Sequence, residues 1–257
     1  MGDYEVFKKQ IFTLTRIDLN AYKEKQMRRR IDSLINKHGI KSYNDYVAAI
    51  KADKNLFEEF VNYLTINVSE FYRNPEQWNI LENEILPALM TKTKTLKIWS
   101  AACSTGDEPY SLVMMLSRHM PLSNIKIIAT DIDKQVLAKA KEGVYNVKSL
   151  KTLPEDLKKK YITQVNEYTY KVADEIKRCV DFKQHNLLLD LYPSDCDLIV
   201  CRNVLIYFTE EAKLEIYKKF NASLKKDGVL FVGSTEQIIQ ANTLGYATAK
   251  SFFYRKV

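Results

Sequence analysis

Several stretches of the chain end in residues able to hold a small polar ligand. The first is AACSTGDEPY, residues 101–110. Its small residues Ala101, Ala102, Ser104 and Gly106 let a ligand approach the backbone closely. Ser104 or Thr105 can cap a helix that begins there. Glu108 falls in the first turn of that helix, where its charge suits the helix dipole. The same carboxylate can instead accept hydrogen bonds from a ligand ammonium. The second stretch, IKIIATD, ends at Asp131. An acid there can bind both hydroxyls of a ribose, or it can cap the next helix, a task Asp133 serves equally well. A small-residue loop followed one strand–helix unit later by an acid is a nucleoside-binding pattern. The loop lacks the Gly-rich dinucleotide fingerprint, which disfavours a nicotinamide enzyme.

Two further segments point at the same opening. CRNVLIYF, residues 201–208, carries an apolar run out to Arg202 and Asn203. An arginine at a sheet terminus needs a partner, and Tyr207 follows closely. TINVSEFYRNPEQW, residues 65–78, mixes Asn67, Ser69 and Arg73 with Val68, Phe71 and Tyr72. That mixture suits a segment lining a site, or simply the start of a helix.

The elements that must position these residues follow from periodicity. Residues 1–90 read as a small helical bundle. Met27, Ile31, Leu34 and Ile35 recur at helical spacing, and Gly39 is a C-terminal stop. Ser42 caps a helix holding Tyr46, Val47 and Ile50. Phe57, Phe60, Val61 and Leu64 repeat the pattern. After Pro87 the texture changes: KTKTLKIWSAAC is a charged linker entering a short strand. Strands then alternate with helices. CVDFKQHN, DCDLIVCRN, GVLFVGS and SFFYRKV read as strands, residues 133–142 as a helix, and 209–228 as an amphipathic helix with Thr209 as N-cap and Gly228 near its stop. Such alternation predicts an α/β fold, a doubly wound sheet whose ligands bind beyond the strands' C-terminal ends, where the strand order reverses. A Lys- and Tyr-rich stretch of about 146–178 interrupts the rhythm as an inserted small β subdomain. The expected division is a helical domain at 1–90 and a ligand-binding domain at 91–257.

With 46% apolar and 28% charged residues, the composition is that of an ordinary globular protein. The opening MGDYEVFKKQ is no signal peptide, and no apolar run approaches a membrane span, so a cytoplasmic protein without membrane insertion is expected. Four cysteines and three histidines form no C-x-x-C pair and no cluster, so no metal site is expected. The net charge of +7 calls for acidic partners. Lys23, Lys25, Arg28, Arg29, Arg30 and Lys37 concentrate that charge on one helix, either as a solvated surface or as a docking face.

Taken together, TINVSEFYR, IWSAACSTGDEPYS, ATDID, HNLL, CRNVLIYF and GVLFVGSTE make the chain resemble the CheR-type chemotaxis receptor methyltransferases. The likeness is colinear and spans nearly the whole chain. It implies a class I methyltransferase domain behind a helical domain. It implies transfer of a methyl group from S-adenosylmethionine to receptor glutamate carboxylates, with S-adenosylhomocysteine as product. Its cofactor contacts fall on Asn67, Ser69, Arg73, Glu108, Asp131, Asn186, Leu187, Arg202 and Asn203, with Glu108 rather than Asp107 as the contacting acid. Arg73 and Tyr207 match the catalytic pair that flanks the methyl-transfer position. The basic helix then acquires a partner in the glutamate-rich cytoplasmic helices of methyl-accepting chemoreceptors, with Arg28, Arg29 and Arg30 as docking residues. A nucleic-acid acceptor is disfavoured, since CRNV stands where amino-methylating DNA enzymes carry Asn/Asp-Pro-Pro-aromatic. A monomer is typical of the family. Some relatives bind a receptor C-terminal pentapeptide through a glycine-containing loop of the inserted subdomain. YITQVNEYTYKVADEIK, residues 161–177, has no glycine, so no such binding is expected.

Overall fold

A computed structural model describes residues 3–93 and 95–257. Lys94 of the expected linker, and Met1 and Gly2 of the opening segment, lie outside the described residues. The chain divides into two compact units, Met1–Asn67 with Leu205–Ile216, and Val68–Val204 with Tyr217–Val257. The division at Asn67 differs from the one expected at 90.

The first unit contains α1 (Asp3–Thr15), α2 (Glu24–Lys37), α3 (Tyr43–Ala52) and α4 (Lys54–Thr65). Their inward positions Phe7, Ile11, Met27, Ile31, Leu34, Tyr46, Ile50, Phe60 and Leu64 are buried. The ends are set by local chemistry. Ser42 Oγ accepts from Asp45 N at 3.1 Å, and Asp53 Oδ1 accepts from Asn55 N at 2.8 Å, as N-caps do. At the end of α2, Gly39 takes φ 67°. Gly39 N donates to Asn36 O at 3.0 Å and Ile40 N to Ile35 O at 3.2 Å, the paired bonds of a Schellman stop. Residues 205–208 belong to this unit through an antiparallel bridge of Tyr22 with Phe208. Lys23 N donates to Tyr207 O at 2.9 Å, Thr209 N donates to Ala21 O at 2.8 Å, and the Tyr22 and Phe208 rings stack at 4.6 Å.

The second unit begins with a continuous helical run: α5 (Pro75–Ile80), a π-helical turn (Leu81–Ile85) and α6 (Leu86–Met90). Pro87 therefore does not end the helix. Its missing N–H and its ring disrupt the ordinary ladder, and a wider turn just before it is one way a helix absorbs that. Trp78, Leu81, Leu86 and Leu89 of this run join the sheet's apolar core, which is why 75–90 belongs here.

The remaining elements are β1 (Ile98–Ala101), α7 (Asp107–Leu116), β2 (Ile127–Asp131), α8 (Lys134–Glu142), β3 (Val144–Asn146), α9 (Glu155–Tyr161), β4 (Ile162–Gln164), β5 (Thr169–Val172), α10 (Asp174–Lys177), β6 (Val180–Gln184), β7 (Cys196–Cys201), α11 (Glu210–Ser223), β8 (Leu224–Val232), β9 (Tyr246–Lys250) and β10 (Phe253–Lys256). A seven-stranded sheet runs in the order β6-β2-β1-β7-β8-β10-β9. Its first five strands pair in parallel, and β10 is antiparallel to both neighbours. The order reverses at β1, which sets the ligand position beyond the ends of β1 and β7. β3, β5 and β4 form a separate antiparallel sheet, the inserted subdomain.

One further expectation is corrected. Gly228 is not the stop of α11, because the helix ends at Ser223 and Gly228 lies inside β8. The strand β9 was not foreseen: YATAK alternates weakly and its last three residues are exposed, as an edge strand permits. Among the described residues, no helix is long and apolar enough to cross a membrane. No group of metal-binding side chains is found among them.

The open surroundings of Gly39, with nothing within 4 Å of an added Cβ, isolate its backbone role. Gly39→Ala is expected to cost about 1 kcal/mol, read as a lower urea midpoint with an unchanged m-value.

Candidate active site

At the end of β1 the chain turns through three left-handed residues, Ala102 (φ 60°), Ser104 (φ 49°) and Gly106 (φ 89°), before α7 begins. Two bonds lock this turn to β2. Cys103 N donates to Thr130 O at 2.9 Å, and Ser104 N donates to Asp131 Oδ2 at 2.8 Å. Asp131 Oδ1 accepts from Asp133 N at 3.0 Å. The helix cap is Asp133, whose Oδ1 accepts from Gln135 N at 2.8 Å. Asp131 is thus released from the capping role, and its carboxylate is braced by the backbone N–H groups of Ser104, Ile132 and Asp133. Burial pushes its pKa up to about 6, against which the N–H groups of Asp133 and Ser104 pull it down.

Arg202, at the exit of β7, is almost fully buried. Its Nη2 donates to Arg73 O at 2.7 Å, Gln77 Oε1 at 2.9 Å and Asn74 Oδ1 at 3.2 Å. Its Nη1 lies 3.6 Å from Glu108 Oε2, and its face lies over Phe231 at 4.7 Å and Trp78 at 5.7 Å. The partner its position demanded is therefore Glu108 together with the 73–77 segment. Glu108 Oε1 accepts from Ser100 Oγ at 2.8 Å. Burial raises the pKa of Glu108 and lowers that of Arg202, each opposed by the other's charge. Two ionic groups are thus held in a poorly solvated place.

One cleft is lined by Ser69, Arg73, Ala102, Ser104, Glu108, Arg202 and Asn203. Arg73 Nη1 donates to Val68 O at 3.2 Å. Asn186 and Leu187 are buried beyond β6. Asn186 Oδ1 accepts from Leu188 N at 2.9 Å, and His185 N donates to Asp131 O at 2.9 Å, joining the exits of β6 and β2. Asn67 and Tyr207 belong to the first unit. The Asn67 amide donates to Thr65 Oγ1 at 2.8 Å. Tyr207 shares a groove with Lys23, Gln26, Met27, Arg29, Arg30 and Ile66.

The three arginines of α2 separate. Arg29 is exposed, and Arg28 is exposed with its guanidinium 4.9 Å from the Tyr4 ring. Arg30 is half-buried, donates from Nη2 to Tyr63 O at 2.5 Å and lies over that ring at 4.5 Å, so its head group is tied down inside the unit.

Two residues of this site went unrecognised in the sequence. Gln77 holds Arg202, and its spacing of four from Arg73 was the available signal. Asp107 is buried. Its Oδ2 accepts from Thr105 Oγ1 at 2.6 Å, and the Ser69 hydroxyl also bonds to it. Burial raises its pKa, those hydroxyls opposing. In sequence Asp107 is passed over because its neighbour Glu108 takes the contacting role.

A family profile described as CheR methyltransferase, SAM binding domain, matches residues 67–252, and one described as CheR methyltransferase, all-alpha domain, matches residues 2–65. The chain belongs to the CheR methyltransferase family. A chemotaxis protein methyltransferase of Listeria monocytogenes is 41% identical over 255 residues, covering 99% of this chain and 97% of the relative. That of Salmonella typhimurium is 33% identical over 235 residues, covering 88% and 80%. This chain is an S-adenosylmethionine-dependent methyltransferase.

The cleft suits that cofactor. It holds the buried carboxylates of Glu108 and, next to it, Asp107 and Asp131, and the buried Ser104 Oγ and Asp107 Oδ1 have no hydrogen-bond partner. Ribose hydroxyls donating to Asp131 would favour its ionised form. S-adenosylhomocysteine affinity is therefore expected to fall about tenfold between pH 7 and pH 5, measured calorimetrically, with the dependence lost in Asp131→Asn. The effect of the same group on folding has the opposite sense. A carboxyl raised from 3.8 to about 6 favours folding below pH 3.8 and loses that contribution as pH rises through about 6.

Proposed function

We propose that this chain transfers the methyl group of S-adenosylmethionine to glutamate carboxylates of chemoreceptors, forming methyl esters. The observation that carries the reading is the match over nearly the whole chain to chemotaxis protein methyltransferases. We place the donor on Ser69, Glu108, Asp131, Asn186, Leu187, Arg202 and Asn203, with Asn67 and Arg73 adding to it.

S-adenosylmethionine supplies an electrophilic methyl on a sulfonium whose leaving group is neutral. The acceptor, with an ordinary carboxyl pKa of ~4.3, is ionised and nucleophilic at neutral pH. No general base is required, and the protein's contribution is in-line positioning and exclusion of water. Arg73 is the carboxylate-orienting residue in this reading. It lines the cleft beside Glu108 and Asn203, and its planar fork suits a carboxylate. Tyr207 shapes the acceptor's approach. It shares its groove with Lys23 and Arg29, cations of the right sign for an acidic side chain.

Docking falls to Arg28 and Arg29 on the exposed side of α2, facing glutamate-rich helices of a cytoplasmic receptor region. Arg30 supports them from within the unit. The enzyme works in the cytoplasm as a monomer, without nucleic acid. The inserted subdomain takes no pentapeptide: its β4–β5 turn carries Val165, Asn166, Glu167 and Tyr168 rather than glycine.

Arg73→Ala is expected to lower turnover at saturating donor by about a hundredfold, in an assay of base-labile methyl transfer to receptor. Near wild-type turnover would remove Arg73 from its role. The double reversal Arg28→Glu/Arg29→Glu is expected to weaken receptor methylation and leave S-adenosylhomocysteine affinity unchanged. Unaltered methylation would count against docking on α2. Calorimetric titration of a receptor C-terminal pentapeptide is expected to give no binding heat, and micromolar binding would contradict the peptide-independent reading.

A further inference from the structure

We infer that Glu236 is a positioning residue for the methyl donor, its buried carboxylate holding Asn203 in the turn that forms one wall of the donor cleft. The inference rests on the reading of the Glu108–Arg202–Asn203 cleft as the donor site.

β7 and β8 are parallel neighbours, with Cys201 aligned on Val232. Their chains therefore leave the sheet side by side, one into Arg202 and Asn203, the other into Gly233 and on to Glu236. Asn203 takes φ 60°, a left-handed conformation that asparagine tolerates better than most residues but that still needs outside support. The support comes from across the strand gap. Asn203 N donates to Glu236 Oε2 at 2.6 Å, and Gly233 N donates to the same oxygen at 2.8 Å. Glu236 N donates back to Gly233 O at 3.0 Å, closing a tight turn. One carboxylate oxygen thus satisfies the first free N–H of β8's exit and the second of β7's.

The fit admits nothing more. A Cβ on Gly233 would stand 2.5 Å from Glu236 Oε2, 2.8 Å from Asn203 N and 2.9 Å from Asn203 Nδ2. Glu236 is only 5% exposed, so its carboxylate faces the protein rather than water. Its charge is also among those felt by Glu108 and Arg202, which places it beside the ionic pair of the cleft. An ionised carboxylate with two N–H donors is a strong clamp. Removing it leaves two largely buried donors unpaired and frees the turn at Asn203.

This arrangement predicts a pattern that simple destabilisation would not give. Glu236→Gln keeps an oxygen in place to accept from both N–H groups, whereas Glu236→Ala keeps none. The donor side of the reaction should suffer, and the receptor side, assigned to the first unit, should not.

The test is calorimetric titration of S-adenosylhomocysteine into the full chain, with steady-state kinetics varying donor and receptor separately. Wild type is expected to bind. Glu236→Gln is expected to stay within about threefold of it, and Glu236→Ala to bind about tenfold more weakly or worse. In Glu236→Ala the KM for donor should rise while the KM for receptor stays within about twofold. Wild-type affinity in Glu236→Ala overturns the inference, and so does a Glu236→Gln as weak as Glu236→Ala. Should Glu236→Ala fail to fold, Gly233→Ala takes its place, with the same expected weakening and the same overturning result. A wild-type chain that does not bind S-adenosylhomocysteine would overturn the donor-site reading itself, a failure visible before any substitution is made.

Discussion

The second unit is organised around a cation taken out of water. Arg202 is delivered by a fully buried strand to the end of the sheet, where bulk solvent cannot reach its guanidinium. A desolvated charge of this kind is tolerated only if its donors find acceptors. Its neighbours answer that demand from two directions in sequence: Glu108 from the first turn of α7, and a carbonyl and two amide oxygens from residues 73–77. Losing one member of such a buried set typically costs about 3–5 kcal/mol. The cleft is therefore built of groups that hold one another in place.

The same constraint explains why the site forms where it does. The strand order reverses at β1, so the exits of β1 and β7 are adjacent and lack a covering connection. Into that gap the sequence puts residues with left-handed backbone, Ala102, Ser104, Gly106 and Asn203, which turn the chain sharply and expose main-chain groups. Asp131 braces the first turn and Glu236 the second. Both braces are carboxylates on neighbouring strands' exits, so the shape of the cleft is held across the sheet as well as along the chain.

Much of this was legible in the sequence, because the relevant signals are local. Ser42, Asp133 and Thr209 announce their helices by capping chemistry, and Gly39 its stop. Asp131 ends one apolar run, and Glu108 falls in the first turn of the helix that follows another. Signals that depend on distant partners were not legible. Pro87 looked like a boundary, because a single sequence gives no sign of the π turn that accommodates it. Gly228 looked like a helix stop, because the irregular start of β8 is set by its register with Cys196 and Leu198. Arg30 looked like its exposed neighbours until Tyr63, from α4, claimed its guanidinium. Asp107 and Gln77 looked ordinary because their value lies in what they hold.

The first unit is discontinuous: Tyr22 and Lys23 are bound to Tyr207 and Phe208 across most of the intervening chain. On the ribosome, four helices can collapse early, but the unit's last segment has not yet been synthesised. Residues 68–204 of the methyl-donor domain must emerge before Tyr207 reaches the N-terminal end of α2. This long-range pairing is also the one that seats Tyr207, the residue we assign to the acceptor's path. Long-range closure of this kind is slow relative to helix formation. The nascent chain therefore holds its basic helix ready well before its acceptor groove is complete, and a chain truncated before residue 205 would never complete that groove.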